Sequence, residues 1–215
     1  MKKVADNQIR LATLAGMIGP ALFVIAFTLE GRLRAGYDPQ SMFISALSLG
    51  PYGWMQITNF ILLGVLLLAF TFALRSEFKG VKTARGGIVL STIIASLYLL
   101  SGPFVMDPTT GTSASTTFHG TLHGIFGGIV FLLMPICIFT FLRTFKNDPK
   151  WRSFHGWTLA FAIFLTAAVT FFTITTKPPS LQPMFGAWFG IIQRTALIPF
   201  MVWMFLFALR MYKQR

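Results

Sequence analysis

His119 and His123 stand four residues apart in Phe118-His119-Gly120-Thr121-Leu122-His123. On a helix this spacing puts both imidazoles on one face about a turn apart, a pairing that can share one metal ion. Asp107, upstream in Met106-Asp107-Pro108, could serve as a third ligand or as a general base. A zinc ion held by His119, His123 and Asp107 would lower the pKa of its bound water and so supply the nucleophile of a hydrolase. Arg194, beside Gln193, carries a charge that could hold an anionic group such as a lipid phosphate or carboxylate. Ser45 or Gln193 could orient the substrate, and Asp107 with Ser45 forms the candidate catalytic pair. The plainer alternatives use the same residues. The histidines could hydrogen-bond across helices, Asp107 could be ordinary turn chemistry before Pro108, and Arg194 could pair with Asp107 or Glu30.

These groups sit in a chain with little else that is polar. Mean hydropathy is +0.69 and 11% of residues are charged, too few to clothe a soluble domain. Six apolar runs are each long enough to cross a bilayer: 11–29, 54–74, 86–106, 118–142, 154–175 and 186–209. Spanning needs about 20 residues. The fold expected is a single all-α domain, a polytopic bundle of six transmembrane helices. The first run is too long for a signal peptide and lacks a small-residue cleavage site, so it reads as a retained helix. No internal repeat is evident, which argues against a repeat-built transporter.

The net charge is +12, and its distribution matters more than its size. Fourteen of the 18 basic residues fall at the termini or on the two connections that share their side. Arg32, Arg34, Lys177 and Arg194 fall on the other. This is the positive-inside pattern. It places both termini in the cytoplasm and the chain in the cytoplasmic (inner) membrane as a multi-pass protein. The basic rim is expected to meet anionic lipid headgroups. No basic stretch carries interleaved aromatics, so nucleic acid is not an expected partner. Cys137 lies mid-span and is expected to be inert.

Polar residues inside spans gather toward the outer side. Ser41, Ser45 and Ser48 recur on one face of a short segment whose other residues are apolar, which favours an amphipathic surface helix over a ligand-lining one. Gln56 and Asn59 enter the second span three residues apart. Gly120, Gly124 and Gly128 form a small-xxx-small stripe that predicts close approach of a neighbouring helix. His155, Trp151 and Trp157 belong near the inner interface. Residues 109–117 read as a flexible polar connection.

Several features together resemble the uncharacterised membrane family known as domain of unknown function 998. They are Gly19-Pro20, Ser45-x-x-Ser48-x-Gly50 leading to Trp54, the Asn59–Gly64 stretch, Asp107-Pro108 and His119-Gly-x-x-His123. The resemblance covers nearly the whole chain. It implies a six-helix bundle and no established activity. A looser similarity links Ser45, Asp107, His119 and His123 to the membrane hydrolases that include alkaline ceramidases and hemolysin III-like proteins. That group has seven helices and carries its histidine pair on the last one.

The expectation is therefore a membrane bundle with an outward-facing polar pocket. One reading makes it a zinc-assisted, lipid-modifying hydrolase. The alternative is a non-catalytic binding or accessory protein for a lipid headgroup, small anion or partner protein. A b-haem protein is disfavoured, because bis-histidine ligation needs one ligand on each side of the ring and these histidines share a face.

Overall fold

The computed structural model describes residues 2–108 and 116–214, so most of the 109–117 connection lies outside the described residues. Among the described residues every regular element is helical. The long helices are α1 (Lys2–Leu33), α2 (Gly53–Glu77), α3 (Arg85–Ser101), α4 (Phe118–Asn147), α5 (Arg152–Thr176) and α7 (Phe189–Lys213). A four-residue α6 (Gln182–Phe185) and several 3-10 turns complete the chain, including one at Ile44–Ser48. Six of the helical segments are long and apolar enough to span a membrane. The side chains of Leu11, Ile18, Leu22, Ile25 and Leu29 are exposed at helical spacing along α1, a stripe suited to lipid rather than water.

The helices close into a ring. Each packs on its two neighbours in the order α1, α2, α3, α4, α5, α7 and back to α1. Close approach is bought with small residues at specific points. At Gly64 an added Cβ would lie 2.5–2.6 Å from backbone and Cβ atoms of Leu99, so α2 and α3 touch main chain to side-chain root. α3 ends at Ser101, five residues before the end of the apolar run. Gly102-Pro103 interrupts it, since proline cannot continue the ladder. The freed Phe104 carbonyl then faces α4.

Both termini lie at one end. There Arg10 Nη2 donates to the Tyr212 hydroxyl at 2.5 Å. Lys150 pairs with Glu77, and Arg210 Nη2 donates to the Lys150 carbonyl at 2.6 Å. Beneath this basic rim sits an aromatic core. Phe145 stacks on Trp151 at 5.1 Å, and Phe207 meets Phe141, Phe145 and Trp151 edge-on. Trp151 is buried in this core, a correction to its expected place at the membrane interface. Trp157, further along α5, is exposed. The candidate site residues singled out in the sequence lie at the opposite, distal end.

Candidate functional site

The connection between α1 and α2 is exposed at its ends but buried at its centre. Its 3-10 turn, Ile44–Ser48, is buried at every residue, so the expected amphipathic surface helix is in fact a plug inserted among the helix ends. The reason is visible in its fastenings. Arg34 Nη1 donates to the carbonyls of Leu47 (2.5 Å) and Leu49 (2.9 Å), and its Nη2 pairs with Glu30. Arg194 Nη1 reaches the carbonyls of Pro39 (2.8 Å), Met42 (3.1 Å) and Gly190 (2.9 Å), while Nη2 donates to Tyr37 Oη at 2.6 Å. Gln193 Oε1 accepts from the Ile44 amide at 2.7 Å. A turn carried into an apolar bundle must have its main-chain groups satisfied, and two guanidiniums and an amide satisfy them. Gly36 (φ 76°) and Gly50 (φ 75°) reverse the chain on either side. Gly190 has no room for a Cβ, which would strike the carbonyls of Pro39, Gln40 and Met42.

Burial raises the Tyr37 pKa above the usual phenol range, with the Arg194 guanidinium opposing part of that rise. Asp38 moves the other way. The Ser41 hydroxyl, and then the Gln40 amide, hold its carboxyl below the usual carboxylate range.

The plug roofs a cavity of about 550 Å³, within the range of small-molecule sites. Phe43, Ile44 and Ser45 face it from the plug, Phe60 from α2, Tyr98 and Ser101 from α3, and Gln193 and Leu197 from α7. The remaining walls are the distal halves of α4 and α5. Along α4 the lining runs from Gly120 to Leu132, about 18 Å of helix axis. On α5 it runs from Val169 to Lys177. The floor closes where Phe131 and Phe172 meet, ring centroids 4.5 Å apart.

The cavity is open on one flank. Leu132 lines it and is 61% exposed, and Gly124, Gly128 and Thr173 on the same rims are also exposed. These residues lie within spans, so the opening faces the membrane interior as well as the distal surface. The glycine stripe is what keeps it open. An added Cβ at Gly124, Gly127 or Gly128 would meet nothing within 4 Å. The expected tight helix contact at this stripe is therefore absent; the missing side chains leave space. Gly120 differs, because a Cβ there would collide with the Asp107 carboxylate.

Of the residues singled out from sequence, Ser45, Asp107, His123 and Gln193 share this cavity. His119 is exposed, packing its ring on Phe104 at 5.4 Å, and does not line it. Arg194 is turned away into the plug fastening and bonds neither Asp107 nor Glu30 among the described residues. Asp107 anchors the start of α4, its Oδ2 accepting from the Thr117 amide (2.9 Å) and its Oδ1 from the Thr117 hydroxyl (2.7 Å). Thr117 in turn caps the helix by accepting from the Gly120 amide. His123 Nδ1 lies 2.7 Å from the Phe104 carbonyl. A carbonyl can only accept, so Nδ1 carries a proton and donates it to Phe104.

Among the described residues no three of His, Cys, Asp and Glu converge on a point that could hold an ion. Nor does a hydrogen bond join Ser45 to His123, the contact a serine nucleophile would need. Among the described residues the geometry shows no charge relay and no ligand triad. It offers an apolar chamber with polar groups at one end. Sequence reasoning passed over Lys177 and Thr173 at the rim and the aromatic walls Phe43, Phe131 and Phe172. The one local signal for them was the glycine stripe, which marks either contact or space.

Residues 17–210 match a family model described as a protein of unknown function (DUF998). No curated protein and no solved structure matches the chain.

Proposed function

We propose that this chain, which belongs to the DUF998 family of proteins of unknown function, is an intramembrane binding protein that takes a lipid-like amphiphile into the cleft between α4 and α5. The observation that carries the reading is the shape and chemistry of the chamber. Its depth is walled by Phe43, Phe60, Phe131, Val169, Phe172 and Leu197, while Asp107, Thr176 and Lys177 stand at the distal end. A molecule with an apolar tail and a polar head matches that polarity gradient. The open flank at Leu132 supports entry from the bilayer, without passage of the tail through water. The split of basic charge supports a mouth on the non-cytoplasmic side of the membrane. Binding rather than catalysis is favoured because Asp107 is committed to Thr117 and His123 to Phe104.

The test is occupancy. Protein reconstituted in nanodiscs is analysed by native mass spectrometry for retained amphiphiles, alongside Gly124→Leu and Gly128→Leu, which fill the open wall. The expected result is a bound amphiphile on wild type that is lost from both variants at unchanged helix content. An empty wild type, or variants as fully loaded as wild type, overturns the reading.

A further inference from the structure

We infer that the ligand of this cavity carries an anionic headgroup, and that Lys177 is the residue that selects it. This rests on the cavity being a ligand site. The argument is one of unmatched charge at the distal rim. Arg34 is paired with Glu30. The Arg194 guanidinium is consumed by three carbonyls and Tyr37. Asp107 has both oxygens occupied by Thr117, at the positive end of the α4 dipole, where a carboxylate is already compensated. The hydroxyl hydrogens of Thr173 and Thr176 go to carbonyls of their own helix, Val169 and Phe172. The His123 Nδ1 is committed to the Phe104 carbonyl. Lys177 lines the same cavity; its backbone amide donates to the Thr173 carbonyl, but among the described residues its side-chain ammonium has no hydrogen-bond or ion-pair partner.

A lysine at a helix C-cap is, by itself, ordinary complementation of the helix dipole. What distinguishes Lys177 is the apolar chamber immediately below it. An acyl tail seated against Phe131 and Phe172 would bring its polar end to the ammonium. A carboxylate or phosphate there is matched, a neutral hydroxyl is tolerated, and an amine is repelled. Because Lys177 is exposed, the gain is at the upper end of what a surface ion pair gives, about fivefold in affinity for acid over alcohol.

The experiment uses the full chain in nanodiscs of zwitterionic lipid. Dodecanoic acid, dodecyl phosphate, dodecanol and inorganic phosphate are compared as competitors of radiolabelled dodecanoic acid, for wild type, Lys177→Gln and Gly128→Leu. Expected is displacement by both acids about fivefold more readily than by dodecanol, with free phosphate inactive. Lys177→Gln is expected to bind acid and alcohol alike. Equal affinities in wild type, or a preference that survives Lys177→Gln, overturns the assignment to Lys177 and leaves the cavity reading standing. Displacement by free phosphate shows a headgroup site that needs no tail, which also overturns it. No binding to wild type, or undiminished binding to Gly128→Leu, overturns the cavity reading itself.

Discussion

Replacing Gly124 and Gly128 by alanine should stabilise this protein, whereas the same change at Gly64 should damage it. All three glycines lie inside long helices, so a sequence-based rule treats them alike. The structure separates them. A methyl at Gly124 or Gly128 meets nothing within 4 Å, so the only effect on folding is the helix preference of alanine over glycine, about 0.8–1.0 kcal/mol per site. The two sites sum to roughly 2 kcal/mol if they act independently. That figure is an upper bound, because chains unfolded within a membrane-like medium keep much of their helix and already realise part of the gain. A methyl at Gly64 would sit 2.5–2.6 Å from Leu99 backbone atoms. Carbon contacts are comfortable near 3.5–4.0 Å, so α2 and α3 must separate by about 1 Å, a strain of roughly 1–3 kcal/mol. The assay is reversible unfolding in mixed micelles of rising dodecyl sulfate content, followed by helical circular dichroism. The expected midpoints rank Gly124→Ala/Gly128→Ala above wild type and Gly64→Ala below it. If the double alanine variant falls as far as Gly64→Ala, the stripe is a helix–helix contact and the reasoning from an open cavity is wrong.

Arg194→Met should cost about 2–4 kcal/mol, since it strips the carbonyls of Pro39 and Met42 of a charged donor inside the bundle; Arg194→Lys should restore only part, because one ammonium cannot reproduce the fork, and micelle unfolding reads both. Gly120→Ala should displace Asp107 from Thr117 and loosen the start of α4, seen as faster amide exchange at position 120 and at Thr121. The Asp38 carboxyl is depressed in the fold, so its stabilising effect is fully present above the unfolded pKa and disappears as pH falls through the lower folded value. The thermal midpoints of wild type and Asp38→Asn should therefore differ at neutral pH and converge in acid below the usual carboxylate range, and a gap that persists there contradicts the Ser41 and Gln40 contacts. Cys137 is fully buried and should resist maleimide labelling until the protein is unfolded.

The six spans could be read from the sequence because apolar length is a direct consequence of bilayer thickness, and the structure places a helix at each. Ser45, Asp107, His123 and Gln193 were legible only within a larger set that included His119 and Arg194, since costly polar side chains in and beside the spans gather toward one side. Four things were not. Arg194 looked like an anion site because its partners are main-chain carbonyls, which carry no residue signature. The glycine stripe looked like a contact because the absence of a side chain cannot say whether another helix fills the gap. Trp151 looked interfacial because tryptophan beside a basic residue usually is, but Phe145 and Phe207 enclose it. His119 matched His123 by spacing, yet the turn between them carries it past the cavity edge onto Phe104.

The plug is clamped through its peptide groups. Arg34, Arg194 and Gln193 grip carbonyls and one amide, and none of these bonds depends on which side chains the plug itself presents. Its shape is thus insulated from its lettering. Phe43, Ile44 and Ser45 can be exchanged by mutation, altering what the chamber accepts, while the frame that positions them is inherited unchanged. Diversification among relatives should concentrate at the apolar positions Phe43 and Ile44 and spare the clamp.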